Sequence, residues 1–349
     1  MVIIGADLHK RSHTAVAIDE AGRKLGHRTV DATPEGHLEL LDWARGFGEH
    51  RWALEDCRHL SRRLEADLVR AGESVVRVPP KLMAGARRSG REPGKSDPID
   101  ALAVARAALR EPDLPVARLD GAERDVRLLV DHREDLVVVR TQVINRLRWH
   151  LHELGLAEPQ ARSIGRTVVL ETLRVQLESA PRHRLSRSAR ELVERIVGLT
   201  ESINALEREI QALATELGPR LRDLQGCGGL SAAKLIGETA GIGRFKSRAA
   251  FARHNGTAPL PVWSGNTPRH RLSRSGNRQL NVVLHRIAIT QVRIGGPGRV
   301  YFDRRIAAGD TKTEAIRALR RRISDEVYRR MREDEADRAA QRAPLAAAA

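Results

Sequence analysis

Leu192, Ile196, Leu199, Ile203, Leu206, Ile210, Leu213 and Leu217 follow one another at spacings that alternate four and three throughout. An apolar repeat of 3.5 residues held over that length fits a long α-helix with one narrow apolar seam, and no strand can satisfy it. Ser188 with Glu191 reads as a capping box at its start. Upstream, Val137, Ile144, Leu147, Leu151 and Leu154 fit a similar heptad, although Arg140 occupies one seam position. Such seams need covering. An intramolecular helical hairpin would do it, and so would dimerisation through a coiled coil.

The chain before these helices has a different rhythm. "VIIGAD" (2–7) reads as a buried strand, and "SHTAVAIDEAGRKLGHRTVDAT" as two strands joined across Glu20-Ala21-Gly22. Thr33 and Pro34 mark a helix start. "HRWALED" is a strand, "LSRRLEADLVRAG" a helix ended by Gly72, and "ESVVRVP" a further strand. This order describes an α/β domain of about 110 residues. "EPDLPVARLDGAE" (111–123) is a Pro- and Gly-containing linker. A third region opens with "LQGCGGLSAAKLIGE", where Gly226, Gly228 and Gly229 precede a helical run. That resembles a helix-hairpin-helix turn, in which N–H groups at a helix start can hold a phosphate. The expected division is residues 1–115, 116–217 (helical, coiled coil), 218–330 (mostly α), and 331–349, a charged helix fraying into a disordered tail.

Lys and Arg number 61 against 45 Asp and Glu, a net charge of +16. That excess implies a polyanionic partner, because basic groups on phosphates release counterions. No stretch approaches the roughly 18 apolar residues of a membrane span, and the N-terminus lacks a signal peptide's pattern. Cys57 and Cys227 are too few for a disulfide framework or a Cys-rich zinc site. A cytoplasmic protein that binds nucleic acid is the expectation. At 3% aromatic residues it is not a base-stacking platform.

"GKSDPIDA" (94–101) raises the question of chemistry. A phosphate-binding loop needs four residues between its glycines; Gly90 to Gly94 leaves three, and Pro98 follows at once. Ser96 instead reads as the cap of a helix with Asp97 and Asp100 on one face of its start. Asp7 ends the first strand and Glu55 ends the "WALE" strand. Acids at strand ends of one α/β domain can converge on one edge, where they would repel one another without a cation. Hard oxygen ligands select Mg²⁺ or Mn²⁺. Two such ions about 3.5–4 Å apart can clamp both sides of a phosphodiester displacement. His9, beside Asp7, could touch the metal site but reads first as a solvent-facing histidine, and His150 and His152, two apart, make a poor metal pair.

"GADLHK", "ALED" and "KSDPIDA", in this order and spacing, resemble the Asp-Glu-Asp-Asp motif of the bridge-RNA insertion-sequence transposases, the IS-one-ten family, related to the Piv DNA invertases. The resemblance continues in Arg244-Phe245, "GTAP" (256–259), Ser264-Gly265 and "SRSGN" (273–277), with Ser275 and Asn281 where basic residues are usual. It implies an N-terminal ribonuclease H-like domain similar to RuvC, with Asp7, Glu55, Asp97 and Asp100 as metal-binding catalytic residues. It also implies a C-terminal serine that attacks DNA and becomes covalently linked to it. Ser264 fits that position; Ser273 and Ser275 compete, and Ser273 reads better as a helix cap. A serine hydroxyl needs a base or a metal nearby, and a carboxylate-bound metal is the expected activator. DNA, a noncoding bridge RNA and a homo-oligomer, dimer or tetramer, are the implied partners. Two other functions fit the residues: a resolvase-type nuclease that uses the acids and water with no covalent step, and a nonenzymatic nucleic-acid scaffold.

Overall fold

A computed structural model describes the chain except for residues 56–58, 81, 84–95, 112–113, 115, 120, 181–183, 265–266, 272–275 and 347–349, and except for the side chains of 261–275 and 342–349. It divides into two compact units, Met1–Asp120 and Gly121–Ala349.

The first unit is α/β around a mixed five-stranded sheet. Its strands are β1 (Val2–Leu8), β2 (Ser12–Ile18), β3 (Lys24–Asp31), β4 (His50–Glu55) and β5 (Val75–Val78), in the order β3-β2-β1-β4-β5. The pairs β1–β2 and β2–β3 are antiparallel, whereas β1–β4 and β4–β5 are parallel. Strand β1 is buried on both faces, which is why "VIIGADL" reads as a continuous apolar run rather than an alternation. One face carries Ile4, Ala6 and Leu54 against α1 (Pro34–Arg45) and α2 (Arg62–Arg70). Thr33 caps α1 as its sequence implies, its hydroxyl accepting the Gly36 N–H at 3.2 Å.

The other face carries Ile3, Val16 and Ala53 against α3 (Asp97–Arg110). Ala101, Ala103, Ala105, Ala107 and Ala108 let this helix lie close to the sheet. Gly5 completes the fit: a Cβ there would come within 2.3 Å of the Ala105 nitrogen and 2.4 Å of the Ala101 oxygen.

Among its described residues the second unit is helical apart from one hairpin. It comprises α4 (Ala122–Glu153), α5 (Thr167–Glu178), α6 (Arg184–Leu217), the short α7 (Pro219–Arg222), α8 (Gly229–Thr239) and α9 (Arg248–His254). The hairpin β6 (Leu260–Ser264) and β7 (Thr267–Arg271) follows, then α10 (Arg278–Ile294), α11 (Pro297–Ala307) and α12 (Lys312–Ala346). The seam of α6 is covered within the chain. Ile196, Ile203, Ile210 and Leu217 are buried, while Leu192, Leu199, Leu206 and Leu213 are half-buried. Helix α4 is the partner and runs the opposite way, since Arg133 bonds Glu207 and Arg140 bonds Thr200. Arg140 is tolerated at its seam position because its guanidinium reaches the Thr200 hydroxyl at 3.2 Å.

Two local expectations are corrected. Helix α6 already includes Arg184, so Ser188 lies inside it and does not cap it. Asn277, not Ser273, caps α10; Ser273 lies outside the described residues. The main core of this unit joins Val126, Ile210 and Ala214 from the long helices to Leu235, Phe251, Leu284 and Val327 from the C-terminal ones. None of the described helices is long and apolar enough to cross a membrane.

Candidate metal centre and serine hairpin

Asp7 lies near the C-terminal end of β1, on the same face as Ile3 and Gly5, and therefore under α3. Ser96 stands at the N-cap of α3 with extended backbone angles, although its hydroxyl makes no capping bond. Asp97 and Asp100 occupy the helix's first turn, where the helix dipole favours acids. The alanine face of α3 presses this turn onto the strand end, which brings Asp97 into one group with Asp7 and His9; Asp100 is near enough to repel Asp7 but is not part of that three-donor group. Asp7 is 7% exposed and Asp100 6%. Burial pushes the Asp7 carboxyl above the usual carboxylate range; His9 opposes that, and repulsion from Asp100 and Asp97 adds to it.

His9 follows β1 and turns back over the same edge. Its Nε2 lies 3.1 Å from Asp7 Oδ2 and 3.5 Å from Asp97 Oδ1. One donor atom from each of Asp7, His9 and Asp97 lies within 4.8 Å of the other two. Adjacent ligands of an octahedral ion held at 2.0–2.1 Å are about 3.0 Å apart. The donor set thus fits a divalent cation, with a buried acid already crowded by like charge. Both sides of the expectation for His9 meet here: its ring is half-exposed to solvent, and it also contacts two of the acids.

Glu55 ends β4, one position beyond the β1–β4 pair Ala6–Leu54, and shares the α3 face with Ala53. It stands on the neighbouring strand end of the same edge, half-buried, and is not part of the three-donor group. Gly94 and Lys95 of the "GKSDPIDA" stretch lie outside the described residues.

Ser264 belongs to the second unit. It is the last residue of β6 and pairs with Thr267 of β7, the pair nearest the hairpin's tip. Ser275 and Gly265 lie outside the described residues. The hairpin sits in a compositional feature that spacing arguments overlook. Residues 239–302 contain eleven Lys or Arg and not one Asp or Glu. Of the 61 basic and 45 acidic residues, 20 and 19 fall in residues 1–120, and 41 and 26 in residues 121–349. Almost all of the excess positive charge belongs to the unit that carries the hairpin.

Family models match both units. One described as "Transposase" covers residues 4–155, and one described as "Transposase IS116/IS110/IS902 family" covers residues 218–303. An uncharacterized 44.8 kDa protein of insertion element IS116 from Streptomyces clavuligerus is 27% identical, over 95% of this chain and 94% of its own length. An uncharacterized 42 kDa protein of insertion element IS900 from Mycobacterium paratuberculosis is 26% identical, over 94% of this chain and 95% of its own. A probable family 20 transposase of Pseudomonas aeruginosa is 29% identical, over 80% of this chain and 81% of its own. Among solved structures, Thermus thermophilus RuvC in complex with a Holliday junction substrate aligns at 17% identity with a TM-score of 0.27, over 34% of this chain and 99% of that one. That score is too low to bear on fold or activity. The two matched segments carry the acids at one end and the serine hairpin at the other, and relatives align over nearly the whole chain. This protein belongs to the IS116/IS110/IS902 family of transposases.

Proposed function

We propose that this transposase cleaves and rejoins DNA strands through a covalent seryl–DNA intermediate, with Ser264 as nucleophile and a metal-binding edge formed by Asp7, Glu55, Asp97 and Asp100. The observation that carries the metal-dependent part is the meeting of Asp7, His9 and Asp97 donor atoms beside buried Asp100. The sheet order β3-β2-β1-β4-β5, antiparallel on one side of β1 and parallel on the other, supports a ribonuclease H-like reading of the first unit.

Ser264 Oγ would form a P–O bond as one ester bond of the strand breaks. The serine gives up its proton, and the departing strand oxygen gains one and leaves as a hydroxyl. Reversal with a second strand end rejoins DNA without ATP, because the phosphodiester energy is kept in the seryl ester. Asp7, Asp97 and Asp100 would hold Mg²⁺ or Mn²⁺, with Glu55 and His9 as further donors. When bound, such an ion offsets charge on the phosphoryl oxygens and favours the deprotonated nucleophile. The acid-free stretch 239–302 favours contact with phosphate backbones, of DNA and of a guide RNA that would choose the target by pairing. Assembly into a dimer or tetramer is part of the same reading.

The test is a denaturing gel for a protein–DNA adduct, with the protein expressed beside its native flanking DNA so that any guide RNA is made. An adduct present in the parent and absent from Ser264→Ala and Asp97→Ala is the expected result. Survival in Ser264→Ala moves the nucleophile to Ser273 or Ser275. Cleavage without an adduct in any form replaces the proposal with a water-using nuclease, and DNA binding without cleavage replaces it with a scaffold.

A further inference from the structure

The segment that carries Ser264 leaves the helical body and returns to it at one point. On the way out, Thr257 and Ala258 donate their backbone N–H groups to the Ala252 carbonyl at 2.9 and 3.1 Å. On the way back, Asn277 donates its N–H to the His254 carbonyl at 2.6 Å. Between the two legs Gly276 lies against Gly256, so closely that a Cβ at 276 would meet the Gly256 nitrogen at 2.3 Å. The stem is closed at 254–258 and 276–277.

Two amide side chains fasten this stem to the helices. Fully buried Asn255 donates to the Ser324 hydroxyl of α12 at 2.8 Å, and its Oδ1 accepts from the Thr257 N–H and hydroxyl at 3.1 and 2.7 Å. Asn277 is used at both ends of its amide. Its Oδ1 accepts the Gln279 and Leu280 N–H groups and starts α10, while its Nδ2 donates to Glu238 Oε2 at 2.7 Å. Glu238 is 3% exposed, and its Oε1 faces the Arg127 guanidinium of α4 at 3.3 Å.

Glu238 is badly placed for its own helix. It sits in the last turn of α8, where the helix dipole disfavours an anion, and burial of a carboxylate is costly. It is also the last acid before the acid-free stretch begins. A charged acceptor aims an amide more firmly than a neutral one, and this amide belongs to the returning leg of the serine hairpin. We propose that Glu238, acting through Asn277, is a positioning residue that sets the direction of the hairpin carrying Ser264. This rests on the reading of Ser264 as nucleophile.

The Asn277–Glu238 pair can be reversed. Asn277→Asp keeps an equally good helix cap but turns the donor into a carboxylate facing another. Adding Glu238→Gln restores one donor and one acceptor with the polarity exchanged. Two readouts apply, both well below each variant's melting temperature. The first is hydrogen exchange of the 258–276 amides in the full chain, which does not depend on Ser264 chemistry. The second is the rate of adduct formation at saturating DNA. Displacing a reacting atom by about 1 Å costs about 100-fold. Asn277→Asp should therefore speed exchange in the hairpin and slow the adduct 10- to 100-fold at unchanged DNA affinity, and the double variant should recover both. Unchanged exchange in folded Asn277→Asp, or a double variant that recovers neither, overturns the clasp. An exchange pattern as expected with an adduct rate unaltered overturns its bearing on attack. A parent adduct independent of Ser264 refutes the nucleophile reading alone and leaves the exchange result to judge the clasp.

Discussion

Asp7 is held in an environment that suits it only when a positive charge is near. Its carboxyl is buried, raised above the usual range by that burial, and further raised by Asp100 and Asp97. A carboxylate so raised destabilises the metal-free fold at neutral pH, and its stabilising share lies below the ordinary carboxylate pKa. If the edge binds a cation, Mn²⁺ should raise the parent's melting temperature, and Asp7→Asn should raise it in EDTA while abolishing that further Mn²⁺-dependent rise. Calorimetry of both proteins, with and without Mn²⁺, checks this; a drop in EDTA would mean Asp7 is structurally paired instead. His13 makes the opposite case. It is 2% exposed, stacked on His37 at 5.3 Å, and burial pushes its imidazole down to about 4. Kept neutral, it contributes stability above its unfolded value near 6.5 that is lost as pH falls toward 4, approaching roughly 3 kcal/mol. Urea unfolding between pH 7 and 4 should show that slope in the parent and a shallower one in His13→Phe. At this level the sequence was legible for Asp7, Asp97 and Asp100, because strand ends and helix starts have local signatures. His9 had only its place beside Asp7 to mark it: its contact with Asp97 depends on a helix start nearly ninety residues away.

Elements were easier to read than their partners. The seam of α6 announced a helix, but a stripe at 3.5-residue spacing does not say what covers it, and α4 of the same chain does so with α5 between them in sequence. The capping-box pattern at Ser188 was overridden because nothing in "RLSR" stops a helix from starting earlier. Helix α3 shows what the sequence concealed. Its alanines look like mere helix formers, yet they and Gly5 bring the acidic turn to the strand end. Gly5→Ala would press a methyl onto the backbone of Ala105 and Ala101, which cannot yield. The expected cost is about 3 kcal/mol from overpacking, together with loss of the Mn²⁺-dependent rise in melting temperature although every acid remains. Gly198→Ala is the control. It lies within α6, and a Cβ there meets nothing within 4 Å. That change should stabilise by up to about 1 kcal/mol. If Gly5→Ala leaves the metal response intact, close approach of α3 does not build the site.

Across the molecule, charge and chemistry are divided. Residues 1–120 carry the acids and are close to neutral, while residues 121–349 carry the hairpin and nearly all of the net +16. Total charge indicated a polyanion at once; its partition needed the boundary between units, which composition does not supply. If the second unit holds nucleic acid by its backbone, the salt dependence of binding belongs to that unit. Each phosphate that the protein ceases to neutralise lowers the slope of log K against log salt by about 0.9 on duplex DNA. Arg269 and Arg271 lie on β7 beside the serine strand, in the acid-free stretch. Changing both to glutamine should flatten the slope by about 1.8 and weaken binding alike on unrelated sequences, because phosphate contacts carry no base information. Arg45→Gln, an exposed arginine of the first unit already paired with Asp42, should leave the slope unchanged. Fluorescence anisotropy on two unrelated duplexes at several salt concentrations separates these outcomes. Equal slopes in all three proteins would mean that the hairpin reaches DNA without holding its phosphates, and the excess charge of the second unit would then have to serve a different polyanion.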